Sequence, residues 1–183
     1  HSDMTENIGP EREKLKADVK QDEEFLHSGG NSIFGNAFYR NTGNGRYEEI
    51  SDQIGAENYW PWGLSVGDFN ADGYEDVFVT ASMNSPWRYG INSLLLNNKG
   101  VGFLDSEFIL GIEPRRDGRT AQPWFELDCF DEDRHHKLCK ERKGRFVVWG
   151  ALGSRSSVIF DLDNDGDLDI VTNDLNSEPM VLI

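Results

Sequence analysis

The chain is poor in several things at once, and each shortage removes a class of function. Only two of its 183 residues are cysteine, so no multi-bridge disulfide framework holds it together. Basic residues are few, 18 against 33 acidic, which leaves a formal charge of −15. A nucleic-acid-binding surface needs a basic stripe to neutralise phosphates, and none exists here. Attraction to anionic lipid is disfavoured for the same reason. No apolar run approaches the ~18 residues that would cross a bilayer as a helix. The catalytic signatures are missing too: there is no G-x-S-x-G elbow, no H-E-x-x-H and no phosphate-cradling glycine loop. The N-terminus, His1-Ser2-Asp3, lacks the basic and apolar regions of a secretory leader, as expected of a mature or excised product.

What the chain has instead is clustered carboxylates. Asp161-Leu162-Asp163-Asn164-Asp165-Gly166-Asp167-Leu168-Asp169 carries five Asp in nine residues and runs into Ile170-Val171-Thr172. Such a cluster repels itself unless a cation holds it. Side-chain oxygens at positions 1, 3, 5 and 9, a carbonyl at position 7 and Gly at the sharp turn suit Ca²⁺ better than Mg²⁺, which keeps its waters. A second copy, Asp68-Phe69-Asn70-Ala71-Asp72-Gly73-Tyr74-Glu75-Asp76, precedes Val77-Phe78-Val79-Thr80. The expected ligands are therefore Asp68, Asn70, Asp72, Tyr74 and Asp76 at one Ca²⁺ site, and Asp161, Asp163, Asp165, Asp167 and Asp169 at the other, with Tyr74 and Asp167 offering their carbonyls. An EF-hand is excluded, because position 12 is Val79 or Thr172 rather than Glu. The flanks, Leu64-Ser65-Val66 and Ser157-Val158-Ile159-Phe160, read as strands.

A strand ending in Asp, a D-x-[DN]-x-D-G-x-x-D loop and a second apolar strand resemble the FG-GAP or VCBS-type repeat of integrin alpha-subunit propellers. Phe38-Tyr39-Arg40-Asn41, Gly43-Asn44-Gly45-Arg46-Tyr47, Trp62-Gly63 and Asp68 to Thr80 further resemble cartilage-acidic-protein-like secreted propellers. The resemblance covers roughly residues 31–112 and 145–183. It implies an all-β fold, a β-propeller in which each Ca²⁺ ties together a hairpin within a blade.

Four segments follow in order. Residues 1–30 are polar, with a surface helix expected from Pro10 to His27, closed by Ser28-Gly29-Gly30. Residues 31–112 hold a hairpin, one short helical turn near 51–56, and a complete blade around the first loop. Residues 113–145 read as a charged, strand-poor insertion, since the two loop starts lie 93 residues apart, well beyond the ~40–50 residues of a blade. Residues 146–183 give a partial blade around the second loop and stop within a repeat. The count is one complete blade plus parts of two others. Further blades, from a longer chain or from neighbouring chains, are expected to cover the exposed faces.

Cys129 and Cys139 fall in the insertion, with nine residues between them. In a chain of extracellular character they most simply form a local disulfide. The rival is a zinc site with His135 and His136, although this spacing matches no usual zinc pattern. The neighbouring Lys137, Lys140, Arg142, Lys143 and Arg145 offer a patch for an anionic partner, or a mixed solvated surface. Trp60, Trp62 and Trp87 could stack on carbohydrate; inter-blade packing is the plainer role for such rings. The function expected is a secreted or cell-surface (or periplasmic) Ca²⁺-stabilised module for binding or cell adhesion, not an enzyme, with an unidentified protein or carbohydrate ligand. The alternatives are a polysaccharide-processing enzyme or its carbohydrate-binding scaffold, and a structural subunit of a surface assembly or filament.

Overall fold

Short antiparallel strands joined by glycine-bearing turns make up nearly all of the regular structure, which is all-β. The computed structural model describes residues 36–56, 58, 61–82, 89–115, 117–175 and 177–183. The helix expected at 10–27 lies outside these residues, as do Trp60 and Trp87.

Strands β1 (Tyr39–Gly43) and β2 (Arg46–Glu49) form an exposed hairpin. Its turn residues Asn44 and Gly45 both take positive φ, 54° and 71°, the geometry that matches hairpin twist and that Asn-Gly adopts readily. The expected helical turn follows as α1 (Ser51–Ile54), ended by left-handed Gly55. Next come β3 (Pro61–Gly67), β4 (Asp76–Ala81), β5 (Ser93–Asn97) and β6 (Phe103–Asp105), a four-stranded antiparallel sheet in sequence order. A second sheet holds β9 (Gly153–Phe160), β10 (Asp169–Leu175) and β11 (Val181–Leu182), in the order β11-β10-β9.

The two sheets are copies of one unit. In the first, Gly67 lies opposite Asp76, Val66 opposite Val77 and Ser65 opposite Phe78. In the second, Phe160 lies opposite Asp169, Ile159 opposite Ile170 and Val158 opposite Val171. A shift of 93 residues converts one set of pairs into the other. The third strand meets equivalent residues of the second, Val77 facing Leu95 and Ile170 facing Leu182, although its own spacing differs, 87 residues rather than 93.

The sheets pack face to face. Phe78, Leu94, Ile112 and Ile170 are buried between them, with Phe69, Leu96, Ile159, Met180 and Leu182 at the margin. At the close approach of β3 to β9, the Ser65 hydroxyl donates to the Ser157 carbonyl at 3.1 Å. Gly63 has no room for a side chain there, since a Cβ would lie 3.1 Å from the Arg155 carbonyl. The outer faces are not covered: Trp62, Leu64 and Val66 on β3 are 46%, 60% and 50% exposed, and Val158 and Phe160 on β9 are 56% and 43% exposed.

Between the two sheets in chain order comes an inserted hairpin, β7 (Ala121–Asp128) paired with β8 (Arg145–Ala151). The strand-poor reading of 113–145 is thus corrected by an eight-residue strand. Its pattern escapes the alternation test because the pairing shifts register between Pro123 and Phe125, leaving Trp124 as an extra residue that breaks the period of two. Trp149-Gly150 also belongs to this hairpin, and the residue 93 positions after Trp62 is Arg155. The hairpin leaves and returns at one point, where the Leu152 N–H donates to the Thr120 carbonyl at 2.9 Å. It has its own small core of Leu127, Cys129, Cys139 and Val148. No helix of the described residues is long and apolar enough to cross a membrane.

Candidate metal centre

Both acidic loops connect the first two strands of their sheets, β3 to β4 and β9 to β10. Their backbones must curl tightly, and the residues at the turn show how. Gly73 and Gly166 sit at φ 88° and 101°, and the residues two places earlier, Ala71 and Asn164, take φ 54° and 63°. Left-handed backbone suits Gly and Asn, and is strained for Ala.

With the chain curled, carboxylates face inward onto N–H groups in matching ways. In the first loop Asp68 accepts from the N–H of Asp72 at 3.0 Å and of Gly73 at 2.8 Å. Asn70 Oδ1 accepts from Asp72 N–H at 3.1 Å, and Asp72 from Tyr74 N–H at 2.9 Å. In the second, Asp161 accepts from Asp165 and Gly166 N–H, each at 3.1 Å. Asp163 accepts from Asp165 N–H at 3.2 Å, and Asp165 from Asp167 N–H at 3.0 Å. The last acid of each loop is buried at the start of the returning strand. Asp76 accepts from Phe69 N–H at 2.9 Å and from Asn97 N–H at 2.7 Å; Asp169 accepts from Leu162 N–H at 2.6 Å.

These contacts gather ligand atoms. Carboxylate oxygens of Asp161, Asp163 and Asp169 all lie within 4.8 Å of one another, and this cluster can hold a metal ion. Asp165 and Asp167 lie outside the trio. The first loop repeats the hydrogen bonds of the second, with the neutral amide of Asn70 where the second loop has Asp163. Charge crowding is felt at that position: partial desolvation, then the neighbouring Asp165, push the Asp163 carboxyl above its ordinary pKa. The donors are all oxygen, most of them carboxylate, which fits a hard divalent cation.

The other expected residues are also placed. Cys129 and Cys139 form a disulfide with a Cα–Cα distance of 5.2 Å. This overturns the zinc alternative, because neither sulfur is free to ligate. His135 and His136 are exposed beside the bridge, and His136 Nδ1 accepts from the Leu138 N–H at 3.3 Å. Trp62 is engaged within the protein: its indole N–H donates to the Ser82 carbonyl, and the Arg155 guanidinium covers the ring at 3.9 Å.

A buried polar network is the part that sequence reading missed. Glu113 accepts from the Tyr89 hydroxyl at 2.7 and 2.9 Å and from Asn92 N–H at 3.1 Å. Arg115 donates to the Tyr89 oxygen at 2.9 Å and to Ser154 Oγ at 3.2 Å, and pairs with Asp174. Burial pushes the Glu113 carboxyl above its usual range, against the lowering pull of the Tyr89 and Asn92 hydrogen bonds. The Tyr89 hydroxyl is also pushed up, by burial and then by the Glu113 charge. The partners lie 21 to 59 residues apart along the chain, so no local motif announces them.

The family model described as an FG-GAP-like repeat matches residues 25–79, a span that contains β1, β2, α1, β3, the whole first loop and the opening of β4. The second loop lies outside the matched span and repeats its register and hydrogen bonds. No curated protein and no solved structure matches the chain significantly.

Proposed function

We propose that this protein is a secreted or cell-surface repeat module of β-propeller type, with structural Ca²⁺ in both acidic loops, whose task is binding or adhesion. The observation that carries this reading is the duplication: two loops 93 residues apart share ligand spacing, strand register and the same pattern of hydrogen bonds. The first site would use Asp68, Asn70, Asp72, the Tyr74 carbonyl and Asp76. The second would use Asp161, Asp163, Asp165, the Asp167 carbonyl and Asp169. A bound Ca²⁺ supplies positive charge at a point where acidic side chains otherwise repel. The chain's own part is mechanical: buried Asp76 and Asp169 tie each loop to the strand that follows it.

In this reading the four-stranded sheet is one blade, β9 to β11 belong to the next, and β1–β2 is the outer half of the one before. The apolar strips on the outer faces of β3 and β9 support stacking of further blades, from this chain or from neighbours, because apolar faces of this kind are packed inside repeat proteins. The disulfide suits an oxidising, extracellular setting, where Ca²⁺ is plentiful.

The test is calorimetric titration of Ca²⁺ into chelator-stripped protein, with thermal unfolding recorded with and without the ion. One ion per loop is expected, with a higher melting temperature in Ca²⁺; Asp163→Ala should lose the second site and keep the first. Absence of binding at millimolar Ca²⁺ overturns the assignment.

A further inference from the structure

The inserted hairpin carries a concentrated run of basic residues in an acidic molecule. Across the chain acids outnumber bases 33 to 18, yet residues 134–145 hold six Lys or Arg against the single Glu141. Arg145 is held by Asp128 at 2.8 Å. Lys137, Lys140, Arg142 and Lys143 are exposed, and none has an ion pair among the described residues. Over the whole hairpin, residues 121–151, six acids match the six bases, so this run is a basic stretch within a mixed surface. The disulfide and the hairpin core fix where this run emerges.

Beside the charge lies a shape. Leu138, Arg142, Phe146, Val147, Val148 and Trp149 line a shallow pocket of about 310 Å³. Its wall includes a flat indole, since Trp149 is 52% exposed. It also includes a positioned cation, because the Arg142 guanidinium stacks 4.6 Å over the Phe146 ring, an arrangement that restrains the side chain while leaving its N–H groups to donate. Trp62 already has Arg155 on one ring face and its N–H satisfied; the ring that shares a pocket with the unpaired Arg142 is Trp149.

A ligand for this pocket needs a flat apolar face and negative charge on the same unit. A pyranose bearing a carboxylate or sulfate has both: its C–H face stacks on an indole, and its acid group takes a bidentate hydrogen bond from a guanidinium. An acidic peptide has the charge and lacks the repeated flat face. A polyanion is repelled by the rest of a −15 chain, so attraction is confined to the basic run at 134–145. We infer that the inserted hairpin is a docking site for an acidic polysaccharide, with Trp149 as the stacking platform, Arg142 as the anion ligand, and Lys140 and Lys143 as flanking charges.

The experiment measures binding of a fluorescently labelled, size-defined sulfated uronate oligosaccharide to the whole chain in Ca²⁺, with neutral dextran and poly-glutamate as competitors. Saturable binding that weakens with salt is expected, competed by neither additive at equal mass. Arg142→Glu should weaken it about tenfold or more. Trp149→Ala should weaken it several-fold while Trp149→Phe, which keeps a ring and guards against a folding defect, stays within about twofold of the parent. Lys99→Glu, exposed on a different turn, should leave binding unchanged. Three results overturn the inference: no saturable binding, binding indifferent to both Arg142→Glu and Trp149→Ala, or equal competition by poly-glutamate with Trp149→Ala silent, which would mark an acidic protein partner.

Discussion

Arg115→Met should be the most damaging single change in the network that joins the two sheets to the insertion. Arg115 is 9% exposed and pairs with Asp174, whose side chain is fully inaccessible. The other carboxylate oxygen of Asp174 has no hydrogen-bond partner, so the guanidinium is what compensates that buried charge. Burial by itself would lower the Arg115 pKa, but Tyr89 and Asp174 outweigh it and the net shift is upward. Truncation to Met keeps the apolar stem, removes the donors to Tyr89 and Ser154, and strands Asp174. Breaking a buried pair in this way costs about 3–5 kcal/mol. For a chain of this size that lowers the melting temperature by roughly 6–20 °C. Urea unfolding with an unchanged slope should report the same loss. Adding Asp174→Asn should recover at least ~1 kcal/mol, since the stranded charge is then gone and the pair is coupled. A loss below ~1 kcal/mol, or no recovery in the double variant, refutes the claim that Arg115 neutralises a buried charge.

Three further outcomes are expected. Opening the Cys129–Cys139 bridge, by reductant or by Cys139→Ser, should lower stability by about 2–3 kcal/mol in the chain-entropy account of a short ring, with protease sensitivity rising between residues 130 and 138; an unchanged urea midpoint would contradict this. Glu113 binds its proton more tightly in the folded state because burial raises its pKa. Its contribution is therefore complete below the ordinary Glu pKa and is lost as pH rises through the elevated folded value, so the stability gap between the parent and Glu113→Gln should move steadily in favour of the variant as pH rises above the ordinary Glu range. A flat or opposite trend in urea unfolding would reject it. Ala71, at φ 54° where the other loop has Asn164, should accept Asn with a gain of about 0.5–1 kcal/mol, and Asn164→Ala should lose a similar amount; thermal midpoints of both variants check the pair.

What could be read from the residues was what is local. The loops announced themselves because ligand spacing, the turn glycine and the β-branched run after Asp76 or Asp169 are written in consecutive positions. The hairpin around Asn44-Gly45, the short turn at Ser51–Ile54 and the Cys129–Cys139 bridge are equally short-range. Strand β7 was hidden because Pro123 and the register shift break its alternation, and its acids read as loop. That Arg155, 93 residues on, lies over one face of the Trp62 ring is likewise not legible in the local sequence. The Glu113–Tyr89–Arg115–Asp174 network was invisible for the same reason: its members come from segments that meet only when the sheets pack.

The meeting of Thr120 and Leu152 gives the molecule a seam. Because the inserted hairpin departs and re-enters across a single hydrogen bond, and carries its own apolar nucleus and covalent clasp, it is a cassette rather than a structural strut. A short linker across the seam would reconnect the chain without altering the spacing of the two sheets. The fixed partner in such an exchange is Gly153, where any Cβ would collide with Ser82 at 2.2 Å. Replacing residues 121–151 with a hairpin of other length or charge is expected to leave the strand register of the two sheets unchanged, which amide exchange in β3–β4 and β9–β10 would report.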